Sequence, residues 1–148
     1  MHQASPDLLE RLKNRSNRPG NFTQILGLVV TELTYKRAVG TVSPTPENCN
    51  PRGIIHGGAL FSVMDQLAGL AACTNGCGTV TIGGSIDFLR PASPGQTLTA
   101  VATVLKPGKR FSQCEATIQD EEGSLIAKAS FTYCTMEPLE DTLALTGD

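Results

Sequence analysis

The chain gathers a particular set of small and polar residues around one apolar stretch. Asn50 is followed by His56-Gly57-Gly58, and Asp65 comes eight residues after Gly57. Backbone N–H groups at the start of a helix lack intrahelical acceptors and carry the positive end of the helix dipole. Glycine there lets a ligand oxygen come close, which is the makeup of an oxyanion hole for a carbonyl. Asp65 lies mid-helix on the face shared by Phe61 and Ala68. An unpaired carboxylate is costly among such neighbours, and Asp is a poor helix former. It needs a partner or water, and a cleft at a subunit boundary gives it water. An amide donor and a carboxylate suit attack on a carbonyl carbon. Eight residues of helix put them about 12 Å apart, too far to share one carbonyl within a single chain. A second, antiparallel copy of the helix supplies the missing half, so the chemistry predicts a symmetric dimer with two identical sites.

The elements that must hold these residues are legible from patterning. From Gly57 to Cys73 nearly every side is apolar, which predicts a helix surrounded by other structure. Ser43 to Ile55, with Pro44, Pro46 and Pro51, reads as a long loop. Four strand-like runs follow the helix: Thr79–Leu89, Thr97–Leu105, Phe111–Gln119 and Leu125–Cys134, separated by Pro, Gly and Asp-rich turns. Ile25–Glu32 and Tyr35–Val42 read as a hairpin before it. Leu98, Ala100, Ala102 and Val104 share one face, as do Cys114, Ala116 and Ile118. Alanine at several inward positions fits a sheet curled tightly round a helix. The expected architecture is α+β: an antiparallel sheet wrapped about one central helix. Ser5-Pro6-Asp7 predicts a short helix start. The expected organisation is an N-terminal helical extension over 1–20, one domain over 21–136, and a loose acidic tail over 137–148.

Composition excludes some classes. The 148 residues fit one domain, and a formal net charge of -2 offers no global attraction to nucleic acid or an anionic membrane. No apolar run reaches the ~20 residues a spanning helix needs, and the N-terminus has no basic leader, so a cytoplasmic protein is expected. Cys49, Cys73, Cys77, Cys114 and Cys134 are an odd set without CxxC spacing, and His2 and His56 are the only histidines. Reduced thiols are expected rather than zinc.

Asn50, Gly53, His56-Gly57-Gly58 and Asp65, followed by Asp87-Phe88-Leu89-Arg90-Pro91, resemble the hotdog-fold acyl-CoA thioesterases of the phenylacetate-pathway and thioesterase-superfamily-member-2 type. The resemblance runs from about Phe22 to Tyr133. It implies a hotdog fold, a homodimer paired into a tetramer, and hydrolysis of acyl-CoA to acid and CoA with no metal or cofactor. It also implies roles. The Gly57 amide polarises the thioester carbonyl, helped by Asn50, and His56 shapes the turn near the sulfur. Asp65 of the other chain attacks the carbonyl or activates water, and Thr81 holds that water or the carboxylate. Gly83-Gly84 departs from the family pattern, and a roomier acyl pocket is expected there.

Gly58 is expected at the substrate, and Arg90, Lys109 and Arg110, with Lys106 nearby, form an expected basic patch for the CoA phosphates. Three rival readings use the same residues. A hydratase or dehydratase would use His56 and Asp65 for acid–base work, though Asp65 lies far inside the helix for that. An acyl-CoA-binding module without turnover would keep the glycines and bases but have no need of Asp65. A thiol enzyme would pair Cys49 with His56 but lacks a third group.

Overall fold

The computed structural model describes residues 3–140. Helix α1 (Pro6–Ser16) is capped by the Ser5 hydroxyl, which accepts from the Leu8 amide. Leu8, Leu9 and Leu12 are buried in the main core, and Asn17 pairs both ways with the Val30 backbone at 2.8 and 2.9 Å. The expected strand from Ile25 begins later. Phe22–Ile25 forms one helical turn, α2, and β1 starts at Leu28 (Leu28–Thr34) after Gly27. Then come β2 (Arg37–Val42), a 3-10 turn at Pro46–Asn48, and α3 (Gly57–Cys73). Four strands follow: β3 (Cys77–Phe88), β4 (Leu98–Lys106), β5 (Phe111–Gln119) and β6 (Leu125–Pro138).

All six strands form one antiparallel sheet in the order β1-β2-β4-β5-β6-β3. Helix α3 lies in its curve and touches every strand. Val63, Met64, Leu67, Ala68 and Ala71 are sealed against the sheet. Inward alanines at 38, 100, 102, 116, 127 and 129 let the strands approach the helix, as the composition of the strands predicts. This is the α+β hotdog architecture. Strand β6 runs to Pro138, and Leu139 is buried with its amide on the Gly76 carbonyl at 2.9 Å. The rest of the expected tail, 141–148, lies outside the described residues.

Strand β3 is an edge, and it is irregular. Thr81 pairs with Tyr133 and Gly83 with Thr132, so Ile82 is an extra residue opposite no partner, a β-bulge. Beyond the bulge, Gly84 accommodates the core. A Cβ there would lie 2.5 Å from Cδ1 of Phe131 and 3.2 Å from Cζ of Phe61. The space left by Gly84 is therefore filled by this chain's own rings, whereas Gly83 faces open space. Gly84→Ala should destabilise the fold by about 1–3 kcal/mol through overpacking. Gly83→Ala, with nothing within 4 Å of the added carbon, should cost far less. Thermal melts of the two variants check the contrast.

Candidate active site

Loop 43–56 delivers the chain to α3 through a tight turn. The Gly53 amide bonds to the Asn50 carbonyl at 2.9 Å, and the Arg52 amide to Asn50 Oδ1 at 2.9 Å. Gly53 has φ +77°, a left-handed value that favours glycine. The Ile55 amide is tied to the Ala92 carbonyl at 2.8 Å and that of His56 to Asn48 at 2.8 Å. These ties hold His56 as the N-cap of α3.

The four N–H groups of the first helical turn can now be assigned. Ala59 and Leu60 donate to the His56 carbonyl at 2.9 and 3.3 Å. Gly58 donates to His56 Nδ1 at 2.8 Å, which puts the neutral ring's proton on Nε2. Gly57 has no acceptor among the described residues. One free amide is left, and it is the one singled out from sequence. The Gly58 amide is not available to a ligand as expected. Its lack of a side chain serves the cap instead, since a Cβ would lie 3.0 Å from His56 Nδ1.

Gly57 opens into a cleft of about 520 Å³ shared with Asn50, Leu60, Phe88 and Arg90. The Phe88 ring lies against Gly57, where a Cβ would come within 2.7 Å of it. Asn50 spends its Oδ1 on the turn, and its Nδ2 has no partner among the described residues. Arg90 donates to the Leu125 carbonyl at 2.9 Å, which anchors its guanidinium at the cleft wall.

Asp65 is elsewhere, in a hollow of about 210 Å³ with Gly69, Cys73, Thr79, Thr81 and Tyr133. The Thr81 hydroxyl donates to its Oδ1 at 2.8 Å. The Tyr133 hydroxyl lies 2.9 Å from the same oxygen and 2.7 Å from the Asp65 carbonyl. Half-buried, Asp65 meets its solvation need through these donors and the open hollow. Tyr133 was not among the residues the sequence singles out. Its signal was modest: a tyrosine on the inward parity of β6 needs a partner for its hydroxyl.

Lys109 and Arg110 do not join Arg90 in one patch. Phe88 is level with Ala127 on β6, whereas Phe111 is level with Cys134. Seven residues of strand separate those levels, roughly 23 Å. Within a chain Arg90 stands at the Gly57 end, and Lys109 and Arg110 stand towards the Asp65 end. The residues of the thiol reading, Cys49 and His56, border one hollow beside the start of α3. Cys49 Sγ faces the Thr45 and Gly53 carbonyls, and the inward His56 nitrogen is spent on Gly58.

Residues 52–127 match the family profile described as Thioesterase superfamily. The chain is 33% identical over 102 residues to the acyl-coenzyme A thioesterase PaaI of Escherichia coli K12, covering 69% of this chain and 73% of that one. The solved E. coli PaaI, from the phenylacetic acid degradation operon, superposes with a TM-score of 0.84 at 25% identity. It covers 91% of this chain and 98% of its own. A hypothetical thioesterase protein of Streptococcus pneumoniae TIGR4, solved with coenzyme A, gives a TM-score of 0.73 at 26% identity, over 75% of this chain and 90% of that one. Two further structures of a hypothetical thioesterase protein from that strain carry alanine in place of an aspartate and of a threonine sixteen positions apart. Asp65 and Thr81 have the same separation.

Proposed function

The chain belongs to the thioesterase superfamily, and from that membership we propose that it hydrolyses an acyl-CoA to the acid and CoA at composite sites built by a symmetric pair of chains. The name of the E. coli relative and the coenzyme A bound to the pneumococcal protein support the substrate class. In each site the free Gly57 amide, helped by Asn50, polarises the thioester carbonyl. Asp65 of the partner subunit attacks the carbonyl carbon or takes a proton from an attacking water, while Thr81 orients its carboxylate. If water attacks, its oxygen bonds to the carbonyl carbon, the carbon–sulfur bond breaks, and the proton held by Asp65 passes to the CoA thiolate. If the carboxylate attacks, the carbon–sulfur bond breaks to leave an acyl–aspartyl anhydride. Water then hydrolyses it to the acid and free Asp65, a proton from that water going to the thiolate. His56 acts by capping α3 and fixing the turn beside the sulfur.

One observation carries this reading: the two halves of the site open into different hollows of one chain, with a natural pivot between them. Phe61 is midway between Gly57 and Asp65 on α3, and its ring lies over Gly84 on β3. A two-fold axis beside Gly84 and Ser85 runs β3 antiparallel to its own copy. It brings the Gly57–Phe88 end of one chain level with the partner's Asp65 and the partner's Thr81. Strand β3 is suited to such pairing. It is a long edge that exposes Val80 (50%), Ile82 (56%) and Phe88 (53%). The same rotation carries Arg90 towards the partner's Lys109 and the partner's Arg110, so the basic residues reconverge on one CoA.

Free-thiol release from a panel of aromatic, medium-chain and long-chain acyl-CoAs tests the activity and identifies the acyl group. Turnover of at least one, with thiol and acid in equal amounts, is expected. Tight binding with no release across the panel would make the protein a binding module. In the same assay Arg90→Ala should raise KM roughly tenfold for acyl-CoA and leave a short thioester without the nucleotide unaffected. Equal loss on both would remove Arg90 from CoA recognition.

A further inference from the structure

We propose that Tyr133 is a positioning residue for the hydrolysis: with Thr81 it occupies Oδ1 of Asp65 and leaves Oδ2 as the oxygen that acts on the substrate. The inference rests on the reading of Asp65 given above, and it assigns to Tyr133 a part in the reaction and to the carboxylate a handedness.

Tyr133 is well placed for this. It sits on β6 with 2% of its surface exposed. The Phe131 ring flanks it at 6.1 Å between centroids, and Phe61 in turn packs on Phe131 at 5.2 Å. On the helix side it meets Gly69, where a Cβ would lie 3.3 Å from its Cε1. The ring therefore has little freedom, and the hydroxyl is held at Asp65. A carboxylate oxygen has two lone-pair positions. Thr81 at 2.8 Å and Tyr133 at 2.9 Å occupy those of Oδ1, the tyrosine sharing its single proton between Oδ1 and the Asp65 carbonyl at 2.7 Å. Oδ2 receives no donor among the described residues, and Asp65 borders the hollow.

The tyrosine remains a donor because burial, followed by the neighbouring Asp65 charge, pushes its hydroxyl well above the ordinary tyrosine range. The other titratable groups nearby are thiols. Burial raises Cys73 on α3, and pushes Cys114 on β5 up to about 12, so both stay protonated. Among the described residues, no lysine, arginine or histidine lines the hollow. The hydroxyl pair is thus the local support for a negative Asp65, and a donor to the charged form favours that form.

The test is Tyr133→Phe in the full chain, which keeps the ring and removes only the hydroxyl. The expected result is a kcat lowered roughly 10- to 100-fold with KM within about twofold. The acid limb of the pH–kcat profile should move up, since the carboxylate loses a donor. A kcat within twofold of the parent and an unmoved limb would overturn the proposal. A second measurement covers the case in which Tyr133→Phe does not fold. The chain has only two tyrosines, so Tyr35→Phe protein grown on 3-fluorotyrosine carries the label at Tyr133 alone. Its more acidic hydroxyl is a stronger donor, and the acid limb should move down instead. A limb that stays put, or moves up, rejects a role through Asp65. Turnover surviving in Asp65→Asn would instead reject the underlying catalytic reading, whatever Tyr133 does.

Discussion

Asp65→Asn is expected to lower kcat by about 10³-fold or more, at the upper end of what a positioned acid or base contributes, while folding and CoA binding stay close to those of the parent. The structure makes this substitution unusually clean. The asparagine carbonyl oxygen can take the place of Oδ1 and accept from Thr81 and Tyr133, so the bonds seen at 2.8 and 2.9 Å persist. What disappears is the negative charge and the basicity of the second oxygen. Free-thiol release gives the rate, and calorimetric titration with CoA gives the affinity. Turnover within tenfold of the parent would take Asp65 out of the mechanism.

The second large effect is a recovery. Gly57→Pro removes the one free amide of the first helical turn, and proline is well tolerated at that helix position. The half-exposed Phe88 ring must swing aside for the added carbons. Loss of an oxyanion donor should cost about 10²–10³ in kcat. Neither this variant nor Asp65→Asn should work alone. Mixed dimers pair one intact Gly57 with one intact Asp65, on opposite chains, and so hold one working site of two. Random reassortment of equal amounts should restore about one quarter of the parental activity. Heterodimers isolated with two different tags should show half. Isolated heterodimers that stay inactive would show that each site is built within one chain.

The sequence made the scaffold readable where local pattern and tertiary burial agree. The apolar run from Gly57 to Cys73 is helical over its whole length, and Phe111–Gln119 is a strand from end to end. Pattern misled at Ile25, because a β-branched residue ended a helical turn held by the preceding loop. Asp65 was conspicuous since a carboxylate amid apolar neighbours demands an explanation. Tyr133 was not, since its significance is a contact between residues 68 positions apart. Arg90, Lys109 and Arg110 looked like one group because they are near in sequence. Strand register, which the sequence does not display, sends them to opposite ends of the sheet. The role of Gly58 turned on a side chain folding back two residues, again invisible to spacing alone.

The unpaired residue Ile82 has a consequence for how the half-sites are matched. Thr81 and Phe88 are seven positions apart, and an odd separation in a regular strand sends two side chains to opposite faces. Here both turn to the helix, one to Asp65 and the other to Gly57, because the inserted residue resets the alternation between them. Strand β3 therefore behaves as a phase shifter. Its length in residues keeps the two ends in step, and losing one position would turn one end of each proposed site inside out.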